Sequence, residues 1–293
     1  MIDAGVEVYR SFFRRDCEDR AFMLGAVGVV SAIELRDDGF ILEVAAPDAQ
    51  RALGHLGQYE TENRAPEPVP DGPPLHSQAW VGCVAYAAWL LGVAYAISNG
   101  LVRLDAFNTG ELDAARVQRG QWWRAWTALT LHVSGPHLAA NLAAGLWFGY
   151  LAGRQLGVGM AWLLIVAGAG IANLLEGLFG PPWHQSVGAS TAVFTALGLM
   201  AAYTWRERFR PSQSWVQRWG PLVAGICLLG WLGSAGKHTD IMAHLLGFGI
   251  GVLLGAIAAL PAVSSRLHRA RQWPAGLAAI AILAAAWGLA LAS

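Results

Sequence analysis

Charged residues are scarce in this chain of 293 residues, of which only 14% are Asp, Glu, Lys or Arg. A soluble domain usually has about 25% charged residues, so the composition excludes a single ordinary soluble domain. The chain also lacks a run of basic residues long enough to bind nucleic acid. Instead, 55% of its residues are hydrophobic, which is typical of a protein that crosses a lipid bilayer.

Cysteine is also rare, and its placement excludes a thiolate metal site. Cys17, Cys83 and Cys227 are far apart and show no CxxC spacing, so we expect small buried hydrophobic residues. The apolar segments contain neither HExxH nor paired aspartates, which argues against a metalloprotease. No metal and no cofactor is therefore expected. The charged N-terminus indicates a folded segment rather than a signal peptide.

The few charges are unevenly divided along the chain. Residues 1–71 contain 14 acidic and 7 basic side chains, whereas residues 72–293 contain 6 acidic and 13 basic ones. This division predicts an acidic soluble N-terminal part followed by a weakly basic membrane-embedded part. An acidic domain is not attracted to an anionic membrane surface.

Residues 1–62 have the pattern of a small cytosolic α+β domain. The turn sequence Asp37-Asp38-Gly39 indicates a hairpin, and five prolines within residues 63–78 predict a stiff, extended linker. The expected elements are a helix at Asp16–Gly25, strands at Ser31–Glu34 and Phe40–Ala45, and a helix at Pro47–Tyr59.

The rest of the chain has the pattern of an all-α polytopic membrane protein. Residues 79–260 contain six apolar segments, and residues 261–293 add a basic loop and a seventh segment. A bilayer core needs about 20 apolar residues of helix. We place the spans near 79–98, 136–153, 158–177, 188–205, 220–236, 241–260 and 273–291.

Arginines between the spans predict the orientation. They cluster in three connections, which the positive-inside rule places in the cytoplasm. The N-terminus is then inside, and the C-terminus and the connections 99–135, 179–187 and 237–240 are outside, most simply in a bacterial inner membrane. The arginines are Arg206, Arg208, Arg210 and Arg218 after span 4, Arg266, Arg269 and Arg271 after span 6, and Arg154 after span 2.

Three polar residues begin three spans that enter from the same side. His137, Ser190 and His244 lie near the starts of spans 2, 4 and 6, and Asn141 lies one turn below His137 on the same helical face. Because helices rise 1.5 Å per residue, these side chains are expected at similar depth below the outer surface. Polar residues are expensive inside a bilayer and usually mark a functional site.

The pattern predicts acyl-transfer chemistry. Ser190 at a helix N-terminus would attack a peptide carbonyl while His244 removes its proton. The Ser190 N–H with His137 and Asn141 would hold the oxyanion, and Gly188 would permit the tight turn before the serine. The pair Gly247 and Gly251 predicts a small-xxx-small face that lets spans 4 and 6 approach closely.

These residues resemble the rhomboid family of intramembrane serine proteases over roughly residues 79–260. The position after Ser190 is Thr191, where the family usually has glycine. Phe194 occupies a position that is often tyrosine in the family and stacks on the histidine. The motifs are Trp123-Arg124, His137-x-x-x-Asn141, Gly188-Ala189-Ser190 and Ala243-His244-x-x-Gly247-x-x-x-Gly251.

The resemblance implies a Ser190–His244 dyad without a third acid and an oxyanion site using His137 and Asn141. It implies a transmembrane-protein substrate, cut near the outer end of its helix, and the family's six-plus-one subgroup. Two alternatives remain open: a rhomboid-like protein that binds transmembrane helices without cutting them, and a small-solute transporter. Absence of an evident inverted repeat argues against the transporter.

Other polar residues near these spans have simpler interpretations. We expect Asp240 to cap span 6 rather than complete a triad. His184 is expected to be a solvated loop residue and Glu176 a solvated or capped helix end. His132 and the pair Trp123 and Arg124 are expected to brace the outer connection.

Overall fold

The computed structural model describes residues 5–63, 75–100, 105–207, 214–233 and 240–293. The chain divides into two compact units, residues 1–71 and 72–293. The predicted linker falls mostly outside the described residues, as do Arg208 and Arg210.

The N-terminal unit is a three-stranded antiparallel sheet with two helices. Its strand order is β1-β3-β2, and its core includes Leu24, Leu42, Val44 and Leu56. The sequence patterns identified both helices and the β2–β3 hairpin but not β1. The elements are β1 (Val6–Ser11), α1 (Arg14–Ala26), β2 (Ser31–Arg36), β3 (Gly39–Val44) and α2 (Ala49–Glu62).

The second unit is a helical bundle. Its elements are α3 (Ala79–Ser98), α4 (Ala106–Gly110), β4 (Leu112–Asp113), α5 (Ala114–Gln118), α6 (Arg124–Thr127), α7 (Gly135–Leu156), α8 (Val158–Phe179), β5 (Gln185–Ser186), α9 (Ser190–Glu207), α10 (Trp215–Gly233), α11 (Ile241–Ala258), α12 (Pro261–Arg269) and α13 (Gln272–Ala292).

Seven helices within the described ranges have 18 residues or more, and each overlaps one of the predicted spans. Four of them, α3, α8, α11 and α13, are long and apolar enough to cross a membrane. The largest shift in bounds is at α10, which begins at Trp215 rather than near residue 220.

Helix α9 lies at the centre of the bundle, and every residue from 191 to 199 is buried. Glycines allow α11 to approach it at backbone contact distance. A Cβ on Gly247 would lie 2.7 Å from the Thr191 carbonyl oxygen, and Cβ atoms on Gly251 and Gly255 would collide with the next carbonyls along α9. Gly198 of α9 provides the same clearance toward α11 from the other side. This contact fixes the relative positions of the two helix starts.

The connection between α3 and α7 folds around a buried arginine. Arg124 is 3% exposed and donates to the carbonyl oxygens of Glu111 and Asn108, at 2.9 and 2.8 Å. Its Nε donates to the Gln121 side chain at 2.6 Å. The guanidinium therefore braces the connection by satisfying backbone acceptors, as expected for a buried cation.

Helix α13 packs along α8 and reaches the connection at its far end. At its start, the Gln272 side chain accepts a hydrogen bond from the Met160 N–H at 3.1 Å. Near its end, the Trp287 indole N–H donates to Thr130 Oγ1 at 3.0 Å. The seventh long helix is thus an integral part of the bundle.

One prediction about the cysteines is wrong. Cys17 and Cys83 are buried, but Cys227 is exposed. Cys227 lies on a surface of α10 that faces away from the bundle. An apolar side chain at such a position contacts lipid instead of other parts of the protein.

Candidate functional site

The candidate residues lie in the first turns of α7, α9 and α11. Ser134 caps α7 and its hydroxyl accepts from the His137 N–H at 3.3 Å. Asp240 caps α11 and its Oδ1 accepts from the Ala243 N–H at 3.1 Å. The Asp240 side chain therefore serves as the cap that the sequence favoured, which directs the helix start that carries His244.

The segment before Ser190 is held by hydrogen bonds from two of its backbone N–H groups. The Gly188 N–H donates to the Ala128 carbonyl at 3.0 Å, and the Ala189 N–H donates to His132 Nε2 at 3.3 Å. Gly188 has a φ of 135°, a conformation that strongly favours glycine. The turn into α9 is consequently fixed from the neighbouring connection.

His137 and Asn141 face this segment from α7. A Cβ on Gly188 would lie 2.9 Å from His137 Nε2 and 3.8 Å from Asn141 Nδ2. Asn141 is 6% exposed; its amide donates to the His137 carbonyl at 3.1 Å, and its backbone carbonyl accepts from Tyr86 Oη at 2.9 Å. Two side chains with polar hydrogens therefore border the Gly188–Ser190 turn.

His244 faces the start of α9 from α11. Its ring is 4.4 Å, centroid to centroid, from the Phe194 ring one turn below Ser190, and the residue is 6% exposed. The contact between Gly247 and Thr191 places the first turns of α9 and α11 face to face. The structure thus brings Ser190, His244, His137 and Asn141 together at one end of the bundle.

Two further side chains support the site. Tyr86, which the sequence patterns did not reveal, reaches Asn141 from α3. His132, which was expected to brace the outer connection, accepts from the Ala189 N–H, and its ring packs edge-on against His137 at 5.2 Å. Burial lowers the pKa of His132 to about 4, with a further effect of His137. His132 is therefore neutral at physiological pH and accepts a hydrogen bond through Nε2.

Glu176 is a capped helix end rather than a solvated one: it is 4% exposed, and its carbonyl accepts from the Gly180 N–H at 2.7 Å. The prediction that His184 is solvated is wrong. His184 is half-buried, with Nε2 3.4 Å from Glu176 Oε1 and 3.2 Å from Asp240 Oδ2. The contact with Asp240, and after it the contact with Glu176, raises the pKa of His184 to about 10. Burial raises the pKa of Asp240, but His184 and the Ala243 N–H outweigh burial and lower it to about 2.

An apolar cavity of about 480 Å³ lies between α3, α8 and α13. Its walls include Trp89, Trp162 and Trp273, and its inner end reaches Ala189 and Ala192. The cavity therefore extends to the first turn of α9, beside Ser190.

The fold and site define an integral membrane protein with a hydroxyl and an imidazole at adjoining helix starts. A family model for the rhomboid domain matches residues 119–261. The putative rhomboid protease YdcA of Bacillus subtilis is 30% identical over 139 residues, which cover 47% of this chain and 68% of that protein. The chain belongs to the rhomboid family.

Other relatives match over a smaller share of their length. The rhomboid-like protease 3 of Toxoplasma gondii is 33% identical over 46% of this chain and 51% of its own length. The rhomboid protease GluP of Bacillus subtilis is 31% identical over 52% of this chain and 29% of its own length. The family match lies within the membrane bundle, and the chain spans about half or less of the length of these two relatives.

Proposed function

We propose that this chain is an intramembrane serine endopeptidase with Ser190 as nucleophile and His244 as general base. The observation that carries the proposal is the packing of α9 on α11, with Phe194 against the His244 ring and Thr191 against Gly247. It positions a hydroxyl and an imidazole on facing helix starts. The names of the relatives as proteases also support it.

The reaction follows from the chemistry of these groups. Ser190 Oγ forms a bond to the carbonyl carbon of a peptide while its proton passes to His244. The resulting oxyanion accepts hydrogen bonds from the Ser190 N–H and from the side chains of His137 and Asn141. The peptide C–N bond breaks as His244 returns the proton to the leaving amine, and water then hydrolyses the acyl-enzyme.

The proposed placement has seven spans in the lipid bilayer, a cytoplasmic N-terminus and an external C-terminus. The site end of the bundle is then external, because α7, α9 and α11 begin there. The substrate is a transmembrane segment of another protein, cut near its outer end. A bacterial inner membrane fits this placement, and the mechanism uses neither a cofactor nor a metal.

A rhomboid-like protein that only binds transmembrane helices is the second candidate. Such a protein needs the bundle and a site for a helix but neither a nucleophile nor a general base. The small-solute transporter is less well supported, since the polar groups described here gather at one end of the bundle instead of lining a path through it.

The test is cleavage of a single-pass reporter protein by purified enzyme in lipid vesicles. Ser190→Ala and His244→Ala are each expected to reduce the rate by about 10³-fold or more, with normal expression. Ser265→Ala, an exposed serine on α12, is the matched control and retains wild-type activity. Labelling by a serine-directed phosphonate should likewise require Ser190. Cleavage by the Ser190→Ala variant would refute the protease proposal.

A further inference from the structure

A second polar cluster lies beside the site and has no role in the proposed reaction. It consists of Glu176 in the last turn of α8, His184 in the following connection, and the α11 cap Asp240. One ligand atom from each lies within 4.8 Å of the others. The end of α8, the connection that follows it and the start of α11 therefore converge on one small volume.

Glu176 is the member that most needs a cation. Its side chain is 2% exposed, and neither carboxylate oxygen has a hydrogen-bond donor among the described residues. The carboxylate also lies at the C-terminal end of α8, where the helix dipole opposes negative charge. A buried carboxylate in this position needs a facing positive charge, and the His184 ring is the group that supplies one, at 3.4 Å, while sharing it with Asp240 at 3.2 Å.

One histidine does not satisfy both carboxylates. His184 presents the same ring nitrogen, Nε2, to Glu176 Oε1 and to Asp240 Oδ2, and that nitrogen carries a single hydrogen. None of these three atoms makes a hydrogen bond within the described part of the chain. The arrangement thus lacks the geometry of a completed hydrogen-bond network.

The same arrangement fits the ligand sphere of a divalent metal ion. Metal–ligand bonds of about 2.0–2.2 Å in tetrahedral geometry place neighbouring ligand atoms about 3.3–3.6 Å apart. The separations from His184 Nε2 are 3.4 Å to Glu176 and 3.2 Å to Asp240. One imidazole and two carboxylates suit first-row transition metals, and two negative charges match a divalent ion.

Hydrogen bonds to their other atoms also hold Asp240 and His184 in place, as is usual for metal ligands. The other oxygen of Asp240 accepts from the Ala243 N–H at 3.1 Å. The backbone of His184 is fixed at both ends, its N–H donating to the Pro181 carbonyl at 2.9 Å and its carbonyl accepting from Ala114 at 3.0 Å. These bonds leave Asp240 Oδ2 and His184 Nε2 directed at the cluster.

We propose that Glu176, His184 and Asp240 form a binding site for one divalent transition-metal ion, with Zn²⁺ as the best match. The ion would join the end of α8, the 180–187 connection and the start of α11. Because Asp240 precedes His244 by one helical turn, an ion here would fix the helix start that carries the imidazole. This role is structural and separate from the peptide-bond chemistry.

The experiment measures Zn²⁺ binding to the full chain carrying Ser190→Ala, so that the outcome is independent of proteolysis. Chelator-treated protein in detergent is titrated with ZnCl₂ by calorimetry and with CoCl₂ by visible absorption. We expect one ion per chain, a tetrahedral Co²⁺ spectrum and a higher thermal unfolding midpoint with Zn²⁺.

Variants assign the ion to the cluster. Glu176→Gln, His184→Gln and Asp240→Asn should each weaken binding by about 10-fold or more. Asp240→Asn is the sharpest of these, because asparagine retains the helix cap while losing the charge. Glu111→Gln and His55→Gln serve as controls for binding elsewhere and should leave affinity unchanged. The proposal is overturned if the chain with all three ligands does not bind one Zn²⁺ ion. It is also overturned if the Asp240→Asn and His184→Gln variants bind Zn²⁺ as tightly as that chain does. The cluster would then hold protons instead of a metal ion.

Discussion

His132 shows how a single neutral side chain supports the proposed nucleophile. Its Nε2 accepts from the Ala189 N–H, immediately before Ser190, at 3.3 Å. Protonation places a hydrogen on that nitrogen, removes the acceptor, and puts a charge beside His137, 5.2 Å away. The integrity of the Gly188–Ser190 turn therefore depends on His132 remaining uncharged.

This dependence predicts acid sensitivity of the fold. The pKa of His132 is lowered from 6.5 to about 4 by burial first and His137 second. A lowered histidine pKa contributes stability that is complete above pH 6.5 and is lost as the pH falls toward 4. The full pKa shift corresponds to about 3 kcal/mol of unfolding free energy. Partial exposure of the ring makes the actual contribution smaller.

The thermal unfolding midpoint between pH 7.5 and 4.5 measures the effect. Wild type should lose more stability on acidification than His132→Gln, because the glutamine oxygen can accept the same hydrogen bond and does not titrate. The difference between the two proteins isolates His132 from other groups that titrate in this range. Parallel pH curves for the two proteins would show that His132 has no such role.

At the scale of elements, α13 supports the site through the connection that precedes α7. Trp287 donates to Thr130 Oγ1 at 3.0 Å, Thr130 Oγ1 donates to the Thr127 carbonyl at 2.7 Å, and the adjoining Ala128 carbonyl accepts from Gly188. The seventh helix is thereby linked to the turn before Ser190, although none of its residues belongs to the proposed machinery.

Trp287→Phe tests this link, since it keeps the aromatic packing and removes only the N–H donor. Loss of one such bond costs about 1 kcal/mol of stability. Because the bond acts on the turn before Ser190, we expect kcat to fall by no more than about fivefold, with little change in KM. Trp273→Phe, on the same helix at a tryptophan that is 65% exposed, is the matched control. Equal kcat values for the two variants would mean that α13 does not position the turn.

At the scale of the whole molecule, the sequence predicted the structural features that are encoded in local residue patterns. The seven long helices could be located because a helix in lipid needs an uninterrupted apolar run. The grouping of His137, Ser190 and His244 followed from their equal depth in alternate spans. The α2 helix and the β2–β3 hairpin likewise had turn and periodicity signals.

Features that depend on distant contacts were not predictable. Nothing in the sequence near Glu176 shows that the 180–187 connection returns over it, so its burial and its contact with His184 were missed. The short pairing of β4 with β5, which joins Leu112 to Ser186, has no pattern of its own. Cys227 was expected to be buried because hydropathy does not distinguish the lipid-facing side of a helix from its packed side.

The orientation of the whole bundle gives the last prediction. Arg266, Arg269 and Arg271 lie directly before α13, and positive charges next to a span stay in the cytoplasm. Alkaline phosphatase, which is active only after export, should therefore be inactive when fused after Arg271 and active when fused after Ser293. Green fluorescent protein at the same two positions should give the reverse pattern.

Replacing the three arginines by glutamine should weaken the difference between the two fusion positions, whereas replacing Arg14, Arg15 and Arg36 in the N-terminal unit should not. An active phosphatase fused after Arg271 would show that the bundle has the opposite orientation, with the Ser190 end on the cytoplasmic side.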